Sequence, residues 1–266
     1  MQLYTCVLLF NSSFFPFCYF VLNDISIVDI LWGLMFLIPN GILFANCVHT
    51  KGLDGVTDLQ KLTLGLVTLW GLRLAIHIGR RHKGEDWRYS QIIRPRWKHK
   101  GAIGRAISAY CYVFLMQGTF SMWVNASAMF IMRNSVKESS GEDRLTPVQM
   151  LGTLVAFLGL FTEIVSDMQL QGHRDDPKNK GKICKAGLWR YSRHPNYFGE
   201  AVFWWGISIM AYSLPGGIRT CYSASFITFL LRYVSGVRML EKYKQTHRPE
   251  FRVYMMETSA FVPWTY

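Results

Sequence analysis

Seven stretches of this 266-residue chain are apolar for long enough to enter a lipid bilayer, and they restrict the possible folds more than any other feature of the sequence. A helix needs about 20 mostly apolar residues to cross ~30 Å of hydrocarbon. Segments at roughly 3–22, 25–48, 59–78, 106–132, 147–168, 197–214 and 218–236 reach or approach that length. A hydrophobic content of 50% would also suit a large soluble core. It is the gathering of apolar residues into runs rather than stripes that points to a membrane. The first run is interrupted by Asn11, Ser12, Ser13 and Pro16, and the sixth is short, so six to seven spans are expected. The first run has no basic stretch before it and no small-residue cleavage site after it, which predicts a retained helix rather than a cleaved signal. No repeat, low-complexity tract or domain boundary is evident. The expectation is one all-α, multi-pass transmembrane bundle over residues 1–266, with the polar stretch 133–146 as an exposed loop.

Charge sets the topology. Of 29 Lys and Arg residues, nine fall in 80–105, seven in 170–195 and five after 237. With seven spans these segments follow the third, fifth and seventh helices and face one side. Cationic loops stay on the cytoplasmic side, or on the matrix side in a mitochondrion. Contact with anionic lipid headgroups accounts for part of this charge. Nucleic acid is a poor partner, because no soluble reader domain is present. The six Cys contain no CxxC pair and lie mostly in or beside apolar spans, so neither a disulfide framework nor a metal site is expected.

Ionisable groups at mid-membrane cost about 2.5–3.5 kcal/mol on insertion scales and tend to mark function. Asp29 opens the second span, Arg73 and His77 lie in the third, Glu163 and Asp167 in the fifth, and Arg232 in the seventh. Glu163, Asp167, Gln171 and Arg174 are spaced four, four and three, which aligns them on one helical face. That stripe could line a crevice for a charged or hydroxyl-rich ligand, or form an interhelical salt bridge with Arg73 or Arg232.

The densest chemistry lies in KAGLWRYSRHPNYFGE, just before the sixth span. Arg193, His194 and Asn196 can donate to a phosphate or a carboxamide. Trp189, Tyr191 and Tyr197 can stack on a flat ring. Pro195 fixes a turn, and a helix beginning near Tyr197 presents an N-terminus that favours an anion. Glu200, one turn in, can accept from a ribose hydroxyl. There is neither a GxGxxG after a strand nor a GxxxxGK[ST], so a nucleotide here must be held by helix ends and loops. The alternative is an aromatic and basic interfacial belt. The basic tail after Arg238 reads either as a surface helix on headgroups or as a flap bringing Glu241 or Tyr254 to the site.

Eight pieces carry a family resemblance: VDILWG (28–33), LWGLRLAIHIGRR (69–81), GEDWRY (84–89), ExxxDxQL (163–170), GLWRYSRHPNYFGE (187–200), WWG (204–206), SGVRMLEKYK (235–244) and FVPW (261–264). With these in order along the chain, it resembles the steroid 5-alpha-reductase-like C-terminal-domain family, in particular its DUF1295 branch. The resemblance implies a site open to the cytosolic-type side, NADPH as cofactor, and reduction of a C=C bond conjugated to a carbonyl in a sterol-like or other lipid. It also implies cofactor contacts from Asp167 and Arg174, from Trp189, Asn196 and Tyr197, and from Glu241 and Tyr254. Hydride addition to an enone builds charge on the carbonyl oxygen, which a positioned donor must stabilise. The steroid reductases supply a Tyr and a carboxylate from early helices. No matching pair stands out in this sequence; His77 lies near the expected Tyr, Asp29 is the early carboxylate, and Glu163 completes the catalytic candidates.

Two other expectations compete. Membrane isoprenylcysteine and phospholipid methyltransferases carry a similar RHPxYxGE element that holds S-adenosylmethionine. A reductase-like fold can also serve as a non-catalytic subunit of a larger membrane assembly. Family resemblance favours the endoplasmic reticulum, while a mitochondrial inner membrane fits the same charge pattern.

Overall fold

The computed structural model describes residues 2–136 and 144–264, so the middle half of the loop expected at 133–146 lies outside the described residues. Among the described residues the chain is all-α, with one isolated backbone bridge, between Ser192 and Ser259. Helices pack into two units, Met1–Leu145 and Thr146–Tyr266.

The first unit contains α1 (Gln2–Pro16), α2 (Val28–Lys51), α3 (Asp58–Arg81), α4 (Ala102–Ala109), α5 (Met116–Val124) and α6 (Ala126–Asn134). Wider π-helical turns at Phe17–Val21 and Tyr110–Leu115 extend α1 and join α4 to α5, and another forms at Arg88–Ile93. Helices α2 and α3 touch backbone to backbone, since a Cβ on Gly33 would lie 2.2 Å from Gly71 O. Phe36 and Trp70 pack edge to face beside this contact, with centroids 4.9 Å apart. Thr57 caps α3 in a reciprocal box with Gln60. The expected span 106–132 is helical but segmented. Its break falls at Asn125, which accepts from Asn40 at 2.8 Å and donates to Phe36 O at 3.2 Å.

The second unit contains α7 (Pro147–Asp175), α8 (Pro195–Tyr212), α9 (Tyr222–Phe229), α10 (Val237–His247) and α11 (Phe251–Glu257). Helix α7 opens on a capping box between Thr146 and Gln149, with Pro147 in its first turn. At 1.5 Å per residue its 29 residues run about 43 Å, longer than the hydrocarbon layer, so its last turns extend past it. Gly152, Ala156 and Gly159 on α7 face Gly199 and Gly206 on α8. A Cβ on Gly206 would sit 2.2 Å from Ala156 N, and one on Gly159 would sit 2.3 Å from Phe203 N. Small residues of this kind let membrane helices approach closely, and here they bring Glu163 against Gly199.

Among the described residues, four helical segments are long and apolar enough to cross a membrane: Leu3–Val21, Ile25–Lys51, Asp58–Arg81 and Pro147–Asp175. The other expected spans are the segmented stretch ending in α6, helix α8, and α9 with its π-helical extension Leu230–Val234. Helix α8 begins at Pro195, two residues before the expected start.

Candidate functional site

In the second unit, three layers build one polar cluster. The first is the end of α7, where Glu163 and Asp167 are buried and Gln171 and Arg174 are exposed. Burial thus divides the predicted stripe where α7 leaves the apolar packing. Gln171 turns to Asp175, donating at 2.7 Å.

The second layer is the turn 187–194. Gly187 has φ +60°, and a Cβ there would lie 2.4 Å from Gln169 Oε1, so glycine is required twice over. Gln169 accepts from Leu188 N at 2.8 Å, and Trp189 Nε1 donates to Ser166 O at 2.9 Å. These bonds fasten the turn to α7 and leave Trp189 buried. Asn196, in the first turn of α8, donates to Asp167 Oδ1 at 3.2 Å. Tyr197 is half-buried, and its ring lies parallel to His194 at 5.6 Å. Glu200 is buried one turn further on.

The third layer is the tail. Arg193 grips Glu241 of α10 with two bonds, Nε to Oε1 at 2.7 Å and Nη2 to Oε2 at 3.1 Å. Its Nη1 donates to Met255 O at 2.9 Å and to Thr258 O. Tyr254 of α11 donates to Trp189 O. Ser192 donates to Phe261 O at 2.8 Å, and Arg193 N donates to Ser259 O at 2.8 Å. Four of the five N–H groups of the Arg193 fork therefore meet this chain, and the tail is laced to the signature turn.

Burial pushes the His194 imidazole down to about 4, leaving it neutral at physiological pH. Its Nε2 lies 3.3 Å from Glu241 Oε1. Burial raises Glu241, but His194 and Arg193 outweigh it and hold the carboxyl at about 2. Burial and then Arg174 pull the Lys244 ammonium down to about 8, with Arg248 and Arg193 adding to the repulsion. Asn196 Oδ1 is buried with no hydrogen-bond partner among the described residues. At the start of an 18-residue helix, that oxygen can accept from a ligand's hydroxyl or amide, while the cations nearby can meet an anionic group.

The first unit holds a separate constellation. Asp29, in the first turn of α2, accepts from Tyr89 Oη at 2.6 Å and from Gln117 Nε2 at 3.2 Å on one oxygen, and from Arg88 Nη2 at 2.7 Å on the other. Gln117 also donates to Tyr89 Oη at 3.0 Å. Burial and then the Asp29 charge raise the Tyr89 phenol well above its ordinary range. Burial disfavours the Arg88 cation, yet Asp29, Asp86 and Tyr89 together more than offset this and raise it. His77 is half-buried on α3. The sequence reading picked out Asp29 and missed Arg88, Tyr89 and Gln117. The GEDWRY piece was visible, but its meeting with a carboxylate 60 residues away comes from the fold. Lys244 was likewise missed, because a lysine in a basic amphipathic helix looks solvated.

The profile of the DUF1295 family, described as proteins of unknown function, matches residues 18–258, and the chain belongs to that family. The family is steroid 5-alpha-reductase-like. A 124-residue stretch is 28% identical to 3-oxo-5-alpha-steroid 4-dehydrogenase 1 of Rattus norvegicus, covering 46% of this chain and 44% of the rat protein. An uncharacterized protein of Schizosaccharomyces pombe is 23% identical over 272 residues, covering 91% of this chain and 73% of that one. The probable O-methyltransferase ustE of Ustilaginoidea virens is 31% identical over 155 residues, covering 58% and 51%. The chain thus spans about half the length of the rat and Ustilaginoidea virens proteins it matches.

Proposed function

We propose that the protein is a membrane-embedded, NADPH-dependent reductase of a C=C bond conjugated to a carbonyl in a sterol-like or other lipid. The observation that carries this reading is the Tyr89–Asp29 pair. It is a buried phenol held by a carboxylate, an amide and a guanidinium, which suits delivery of a proton. The early Tyr and carboxylate that the family resemblance led one to expect are supplied by Tyr89 and Asp29, rather than by His77.

In this reading the second unit retains the cofactor. Asn196 presents its unpaired Oδ1 to it, Asp167 orients Asn196, His194 backs the Tyr197 ring, and Arg174 and Lys244 meet its phosphates. Tyr197 offers a ring, and Trp189 and Glu200 line the same end of α8. Arg193, Glu241 and Tyr254 act as positioning residues, since their polar atoms are engaged within the chain. Bound there, NADPH would supply the hydride. Within the first unit, Tyr89 is the candidate proton donor, its hydroxyl turning from Asp29 to release the proton that an enone reduction consumes. Asp29 and Gln117 hold the phenol in place. Glu163 keeps a carboxyl inside α7, against α8, as a further catalytic candidate.

The test is NADPH oxidation by the detergent-purified protein with a 3-oxosteroid bearing a 4,5 double bond, followed by other enone lipids. Tyr89→Phe is expected to lower kcat by ~10²–10⁴ with little change in NADPH affinity. Equal activity in Tyr89→Phe would remove Tyr89 from the mechanism. The similarity to ustE favours a second reading, a lipid methyltransferase. In that case S-adenosylmethionine binds in place of NADPH and Tyr89→Phe leaves methyl transfer intact.

A further inference from the structure

The Asp29 carboxylate borders a cavity of about 80 Å³ between the end of α3 and the connection that follows it. Ser26, His82, Asp86, Arg88 and Ile78 share its walls with Asp29. Tyr89 is not among the lining residues, and it is only 5% exposed. A water takes a share of about 30 Å³ in the liquid and needs two to four polar partners, so about two or three waters fit.

The walls are braced by hydrogen bonds. His82 Nε2 lies 2.9 Å from Asp24 Oδ2. Ser26 Oγ donates to Asp24 at 2.6 Å and accepts from Asp86 N at 3.0 Å. Asp86 in turn holds Arg88 Nε at 2.8 Å. The polar lining is therefore fixed in place, with the Asp29 carboxylate between the cavity and the phenol.

We propose that this cavity is the proton-supply route to Tyr89, with Asp29 handing each proton from cavity water to the phenol oxygen. The proposal rests on the reading that Tyr89 is the proton donor. Once Tyr89 has given up its proton, the phenolate oxygen faces Asp29 Oδ1 across the same 2.6 Å contact. A hydronium in the cavity transfers a proton to the Asp29 carboxylate and becomes water. The new carboxyl O–H bond then breaks as the phenol O–H bond re-forms. One proton enters from solvent for each proton that leaves Tyr89, and no oxidant or reductant takes part. A phenolate is ordinarily a far stronger base than a carboxylate, so the final transfer runs toward Tyr89.

A plug separates supply from donation. Ile78 lines the cavity, and Ile78→Trp narrows it without removing any bond to Asp29. In rapid-mixing experiments with NADPH and the 3-oxosteroid, the first turnover uses the proton already on Tyr89. Ile78→Trp is expected to keep the first-turnover rate and to lower the steady-state rate at least tenfold. Asp29→Ala, slow at steady state, is expected to regain at least tenfold with formate, a small acid that can enter the cavity. Adding Ile78→Trp should abolish that rescue. An unchanged steady state in Ile78→Trp, or equal loss in first and later turnovers, would overturn the proposal, as would failure of formate to rescue Asp29→Ala. No turnover in the unmodified protein would instead sink the reductase reading, and this route with it.

Discussion

Arg193 joins more of the candidate site than any other single side chain. Its guanidinium binds both oxygens of Glu241 and two carbonyls of the tail, and both charged groups are nearly buried. Removing one partner of a buried ion pair leaves an uncompensated charge and costs about 3–5 kcal/mol. Arg193→Ala is therefore expected to lower the melting temperature sharply and to free the tail for limited proteolysis. Arg193→Lys should recover only part of the loss, because an ammonium cannot reproduce the two-pronged contact. The same cluster sets an acid limit. Glu241 is held at about 2 and His194 at about 4, both below their unfolded values. A depressed value means the folded state binds fewer protons, so stability is full above the unfolded value and falls as pH drops through the folded one. His194 contributes its loss between about pH 6.5 and 4, and Glu241 contributes below about pH 4.5. Thermal melts against pH should show both losses, and His194→Asn should remove the upper one and shrink the lower, since His194 leads the groups that hold Glu241 down.

At the scale of elements, the α7–α8 pair depends on glycine. Gly159→Ala and Gly206→Ala each put a methyl group into the opposing backbone, an overpacking expected to cost about 1–3 kcal/mol. Gly172, on the same helix, has open space at its Cβ position, so Gly172→Ala should be neutral or stabilising by up to ~1 kcal/mol. Denaturation of the three variants in one detergent checks the contrast. The apolar runs made the helices legible in the sequence, and the charge pattern supplied an orientation. The segmentation of 102–134 was not legible, because the π-helical turn at Tyr110–Leu115 and the break at Asn125 leave the hydropathy continuous. Of the candidate site, the signature turn was readable because its residue types crowd into 14 positions. The Tyr89–Asp29–Gln117 contact was not, since its members come from three separate segments and only packing unites them.

For the whole molecule, orientation follows from charge. Single cysteines introduced at Lys98, Lys180 and Lys242, all exposed, are expected to react with an impermeant thiol reagent from one side of sealed vesicles, and one at Lys51 from the other. Labelling of Lys98→Cys and Lys180→Cys from opposite sides would contradict the arrangement of the cationic loops. The central claim is that the second unit holds a nicotinamide nucleotide at the start of α8. Its most direct test is equilibrium binding of NADPH, NADH and S-adenosylmethionine to the purified protein and to Asp167→Ala and Asn196→Ala. The account predicts selective NADPH binding, weakened at least tenfold in both variants while their melting temperatures without ligand stay close to that of the parent. S-adenosylmethionine binding in place of NADPH, or no nucleotide binding by the folded protein, would contradict it.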